Sequence, residues 1–139
     1  MRRFSFRLEK IMEYRDLRES WAKDAYLAAR KARFDAEAER AKIVARRELA
    51  LHCHPKTLED SISLEQFVSR LDIEVENANS ILSILLQEEE QARCEWVEAK
   101  IAAEALHKLR ERAYEEWQIE LNREEQKVLD DWTQSRRSA

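Results

Sequence analysis

The 139-residue chain contains no glycine and a single proline, Pro55. Glycine supplies the positive-φ turns that tight β-hairpins and phosphate-cradling loops depend on. Its absence excludes glycine-rich nucleotide loops and argues against hairpin-rich β folds. Cysteine is also scarce. Two thiols, Cys53 and Cys94, without an apolar leader are expected in a reduced, cytoplasmic chain, because Arg7, Glu9 and Lys10 interrupt any apolar run after Met1-Arg2-Arg3. Long hydrophobic runs are missing too. The longest uncharged stretch, Asn77 to Gln87, falls far short of the ~20 residues a membrane span needs. A net charge of −4 and a pI near 5.5 provide no general attraction for nucleic acid.

What is present favours helix. Ala, Glu, Arg and Leu dominate, all strong helix formers. Charged residues make up 39% of the chain, a share also compatible with disorder, but 44% hydrophobic residues and four Trp favour a coiled coil. The fold expected is all-α: one unit, a long two-helix antiparallel coiled-coil hairpin.

The second half carries the clearest repeat. Leu64, Val68, Leu71, Val75, Ala78, Leu82, Leu85, Glu89, Ala92, Trp96, Ala99, Ala103 and Leu106 follow at alternating spacings of four and three, and only Glu89 is not apolar. A 3.5-residue period keeps one seam facing a partner. Beyond Leu106 the apolar residues Leu109, Ala113, Trp117 and Leu121 come at intervals of four, a stutter that predicts a straighter terminal helix. The first half repeats less cleanly through Phe4, Leu8, Ile11, Arg15, Arg18, Ala22, Ala25, Ala29, Ala32, Ala36, Glu39 and Ile43. Tyr14, Leu17 and Trp21 shift the stripe sideways where Arg15 and Arg18 interrupt it.

Pro55 lies in the only breaker cluster, Leu51 to Thr57, and disfavours helix at His54. The first helix is therefore expected over about 5–51, the tip over 52–62 and the second helix to about 135. Two capping signals compete, Thr57 with Asp60 and Ser63 with Gln66. They leave open a short tip helix reaching about Leu71 or one unbroken second helix. Residues 1–60 carry net +4 and residues 61–139 net −8, which supports antiparallel pairing. The longer second helix should project past Phe4, a natural place for a partner.

Candidate chemistry is thin. Glu88-Glu89-Glu90 and Glu115-Glu116 are sequence neighbours that point in different directions on a helix, as on a solvated flank. His52-Cys53-His54 resembles a metal site, but Cys94 and His107 are the only other zinc-type ligands and both lie on the distant second helix. No metal, cofactor, small-molecule substrate or catalytic residue is expected, and the chain is not expected to be an enzyme. The four Trp divide by register: Trp96 falls on the seam and Trp21 beside it. Trp117 and Trp132 serve either as contact anchors or as packing for Phe4 and Phe6. Arg2, Arg3 and Arg7 with Arg136 and Arg137 would give that end a basic character suited to an acidic partner surface.

The chain ends are more specific. Phe4-x-Phe6-Arg7-Leu8-Glu9-Lys10-Ile11-x-x-Tyr14-Arg15-x-x-x-Glu19 resembles the N-terminal signature of the flagellar type III export protein FliJ. Glu125-Gln126-Lys127-x-x-Asp130, followed by arginines, is similar to that family's C-terminus. Trp132 departs from a tail that is usually less aromatic. The resemblance covers essentially the whole chain. It implies a cytoplasmic stalk or adaptor at the inner-membrane face of the export apparatus. Such a protein binds and stimulates a hexameric export ATPase and contacts the cytoplasmic domain of the export gate and the export chaperones. It would place Phe6, Arg7, Leu8 and Arg15 with Gln126, Lys127 and Asp130 at the ATPase-facing end, and the 52–57 tip towards the gate. Trp117 and Trp132 join that end by their position in the apolar pattern. The alternatives are a structural coiled-coil adaptor and the similar stalk proteins of virulence-type secretion.

Overall fold

The computed structural model describes residues 3–138, so Arg2 of the expected basic end lies outside the described residues. Two α-helices, α1 (Glu9–Leu51) and α2 (Leu58–Ser138), pack against each other as a helical hairpin, with no strand among the described residues. Contacts cluster in two compact units, Trp21–Trp96 and Met1–Ser20 with Val97–Ala139, and each takes one stretch of each helix.

The Trp21–Trp96 unit contains the tip. Helix α1 ends in a tightened turn, where the His52 amide donates to the Glu48 and Leu49 carbonyls and the Cys53 amide to the Ala50 carbonyl, at 3.2–3.3 Å. Thr57 then caps α2. Its Oγ1 accepts from the Asp60 amide at 3.1 Å, and its carbonyl accepts from the Ser61 amide at 3.0 Å. Once started there, α2 meets neither Gly nor Pro and Leu64, Val68 and Leu71 already face α1, so it runs unbroken. The short tip helix allowed by the sequence does not form, and Ser63 lies within the helix.

On the α2 side of this unit the inward residues are the expected ones, from Leu64 through Glu89 to Trp96, and Leu71 is only 2% exposed. The α1 side differs. Ala22, Ala29, Ala36 and Ile43 turn inward as expected, but Ala25, Ala32 and Glu39 are exposed, and Tyr26, Arg33 and Arg40 take their places. The shared positions fit either a three-four or a four-three alternation. Long side chains choose between them. Tyr26 stacks on Trp96 with centroids 5.5 Å apart, and Arg33 donates to Glu89, the charged residue of the α2 seam within this unit. An alanine there would cover little apolar area. An arginine lays its stem along the seam and sends its head to a carboxylate at the edge. Towards the tip, Arg40 donates to Asn79 and Arg47 to Asp72, both at 2.5 Å, while Arg46 reaches Glu74 at 3.2 Å. These partners run in opposite order along the two helices, so the pairing is antiparallel.

In the other unit Met12, Asp16 and Glu19 turn inward, and Ile11, Arg15 and Arg18 face solvent. Tyr14 and Leu17 are also exposed, as is Trp21 at the start of the Trp21–Trp96 unit, so they form no sideways continuation of the seam. Met12 and Ala103 are the buried apolar residues here. Polar residues hold the register around them. His107 Nε2 lies 2.8 Å from Asp16 Oδ1, and Arg110 Nε donates to Glu9 Oε2 at 3.4 Å.

Candidate functional site

The unit built from both chain ends carries most of the residues that the terminal motifs single out. Phe4 to Leu8 lie outside the helix, and α1 begins where the Glu9 amide donates to the Phe6 carbonyl at 3.2 Å and the Met12 amide to the Leu8 carbonyl at 2.9 Å. Phe4, Phe6 and Leu8 are each half-buried, while Ser5 and Arg7 between them are exposed. Residues 4–6 are irregular and residues 7–8 form the turn into α1, so Phe4, Phe6 and Leu8 turn one way and Ser5 and Arg7 face water.

That surface is aromatic. The Phe4 ring meets Tyr114 edge-on at 5.1 Å and Trp117 at 5.8 Å, and Tyr114 and Trp117 stack on one another at 5.7 Å. The Arg110 guanidinium sits 5.5 Å from the Phe4 ring centre. Each aromatic pair of this kind adds about 0.5–1.5 kcal/mol beyond its buried area. The four side chains therefore form a clasp that ties the N-terminal segment to α2. Trp117 is part of it. Tyr114 and Arg110 were not singled out by sequence, though the signal was present, since Arg110 and Trp117 are one heptad apart and Tyr114 lies one turn before Trp117.

Their positions also correct the expected stutter. Leu109 is 45% exposed, and Arg110 occupies the inward position, so Leu106, Arg110, Ala113 and Trp117 continue the alternation of four and three. A search restricted to apolar residues passes over an arginine whose stem packs and whose head is paired. The spacing changes only at Leu121, the last half-buried residue of α2.

From Asn122 to Ser138 every residue of α2 is exposed. This tail carries Gln126, Lys127, Asp130 and Trp132. Gln126 donates to Asp130 at 3.1 Å, and Arg136 lies 5.0 Å over the Trp132 ring, which is 59% exposed. Arg136 and Arg137 lie in the last turn, where cations complement the helix dipole. Of the nine residues expected at this end, Phe6, Leu8 and Trp117 are half-buried, and the others stand in solvent. Arg15 is exposed on a flank of α1, beside the residues that pair with α2.

The remaining candidates make no site. His52, Cys53 and His54 are exposed, and no group of three or more His, Cys, Asp or Glu among the described residues could hold a metal ion. No helix among them is long and apolar enough to cross a membrane. Glu90 is held below the usual carboxylate range by its hydrogen bonds from Arg93.

The geometry thus defines a helical hairpin whose two ends are clasped together and whose longer helix continues beyond the clasp as a solvent-exposed tail. Residues 4–138 match the family described as the flagellar FliJ protein, and the chain belongs to that family. It is accordingly a flagellar protein-export component. No curated protein and no solved structure matches it.

Proposed function

We propose that this chain is the stalk and adaptor of the flagellar export apparatus, acting in the cytoplasm, without catalysis of its own, at the inner-membrane face. In this reading the clasped end and its tail bind the hexameric export ATPase and favour its active, assembled form. The tip and sides serve the export gate and chaperones. The observation that carries the reading is the tail beyond Leu121. It is a helix with Val128, Leu129 and Trp132 in solvent, continuing directly from the clasp that holds the N-terminal motif. A helix end with exposed apolar residues and paired charges is suited to insertion into a ring of complementary surface. The clasp holds Phe4 on the stretch of α2 that leads into the tail, so in this reading both family motifs act from one end.

Deleting residues 1–8 or residues 125–139 tests this directly. Each truncation is expected to abolish binding to the cognate export ATPase and stimulation of its turnover, and substitution of the exposed 52–56 tip is expected to leave both intact. Full ATPase stimulation by both truncated chains would overturn the assignment of the ends. No stimulation by the intact chain at saturation would overturn the stalk reading itself.

A further inference from the structure

Helix α1 is apolar on more than the side that faces α2. Along its outer side Leu27, Lys31, Phe34, Ala38, Ala41 and Ala45 follow at spacings of four, three, four, three and four, and all six are exposed. Leu27 and Phe34 keep 45% and 47% of their surface in water, with the Arg30 guanidinium 5.3 Å from the Phe34 ring centre. This is a second heptad stripe that no other helix of the described residues covers, and five of its six positions are apolar. The tail of α2 carries another. Leu121, Glu125, Val128, Trp132 and Ser135 have the same four-three-four-three spacing, with Val128 and Trp132 67% and 59% exposed.

We propose that the two stripes are complementary and that the tail of one copy docks in parallel on the outer side of α1 of a second copy. Aligned from Leu27 and Leu121, the one charged residue of each stripe falls at the same position, Lys31 against Glu125, with opposite signs. Phe34 then meets Val128, and the largest tail residue, Trp132, meets the small Ala38, so large and small side chains interdigitate. In the flanking positions that approach each other in a parallel pair, Glu37 faces Arg136 and Lys42 faces Asp131, against one like-sign pair, Glu124 with Asp35. A two-fold contact of the outer stripe with itself is disfavoured, because an antiparallel pairing of residues 27–45, centred on residue 36, brings the two Glu37 together on one flank and the two Asp35 together on the other. The contact is heterologous, so it does not close on itself and assemblies lengthen with concentration. It covers four helical turns, an area in the range of weak, transient contacts. An associated tail is covered, so self-association and any other use of the tail exclude one another.

Sedimentation of the full chain from about 10 μM to about 1 mM spans the affinity expected of such a contact. The weight-average mass should rise above the 16.6 kDa of one chain. Lys31→Glu and Glu125→Lys should each weaken association by about tenfold, since each converts the central attraction into repulsion. Mixed in equal amounts, the two variants should associate again, because every tail then finds an opposite charge on the other variant. Ala38→Trp, which fills the space meant for Trp132, should block association with all charges intact. A mass that stays at one chain throughout overturns the proposal, as does association unaffected by these changes or unrestored by mixing. ATPase stimulation measured on the same variants is a separate readout, so failure of the stalk reading leaves this result standing.

Discussion

Replacing Leu71 and Leu109 by alanine, one at a time, tests the register on which the hairpin rests. Both are leucines of α2, and spacing by apolar residues alone places both in the seam. They differ in the structure. Leu71 is 2% exposed and is the largest fully buried side chain, while Leu109 keeps 45% of its surface in water. Leu→Ala in a closed core costs about 2–5 kcal/mol from lost transfer energy and the cavity left behind. The seam here is one side chain deep and can partly collapse or admit water, which places Leu71→Ala near the lower end, about 2–3 kcal/mol. Leu109→Ala removes contacts that are largely with solvent already, and alanine is the better helix former, so a change within about 0.5 kcal/mol is expected. Urea unfolding followed by circular dichroism reads both. With a slope of about 1–3 kcal/mol per molar, Leu71→Ala lowers the midpoint by roughly 1 M or more, and Leu109→Ala leaves it nearly unchanged. Equal losses for the two variants would show that the seam passes through Leu109 and not Arg110, and the assigned register would be refuted.

Three further outcomes follow from the same contacts. Thr57→Ala should destabilise the start of α2 by about 1 kcal/mol, and Ser63→Ala should change little; amide exchange at residues 58–61 separates the two. Arg33→Glu and Glu89→Arg should each lower the thermal midpoint, because each sets like charges against one another at the seam, and the double exchange should recover most of the loss; no recovery would mean the two do not pair in solution. Glu90 should titrate at lower pH than a solvated glutamate, by virtue of the hydrogen bonds from Arg93. Its folded-state value is depressed, so its contribution to stability is present above the ordinary carboxylate range and is lost as pH falls through the folded value. Arg93→Gln should return the NMR midpoint of the Glu90 carboxyl to the ordinary glutamate range.

Much of this molecule is legible in its residues one helix at a time. The absence of glycine, the lone Pro55 and the 3.5-residue period from Leu64 to Leu106 dictate two helices and a turn, because backbone propensity and apolar spacing are properties of each segment alone. The inward side of α2 follows for the same reason, since its seam residues from Leu64 to Leu106 are regularly spaced and apolar except Glu89. The inward side of α1 does not. Ala22, Ala29, Ala36 and Ile43 accept either neighbouring phase, and the choice falls to Tyr26, Arg33 and Arg40, whose preference depends on Trp96, Glu89 and Asn79 across the pair. At the end built from both termini, the terminal motifs name Phe6, Leu8 and Gln126 by pattern. The clasp of Phe4 on Tyr114, Trp117 and Arg110 joins residues more than a hundred positions apart, and no local signal specifies which ring meets which. Local sequence determined the helices because helix formation is decided within a few turns. Tertiary structure decided the register, the clasp and where the exposed tail begins, because each depends on which long side chains meet across the seam.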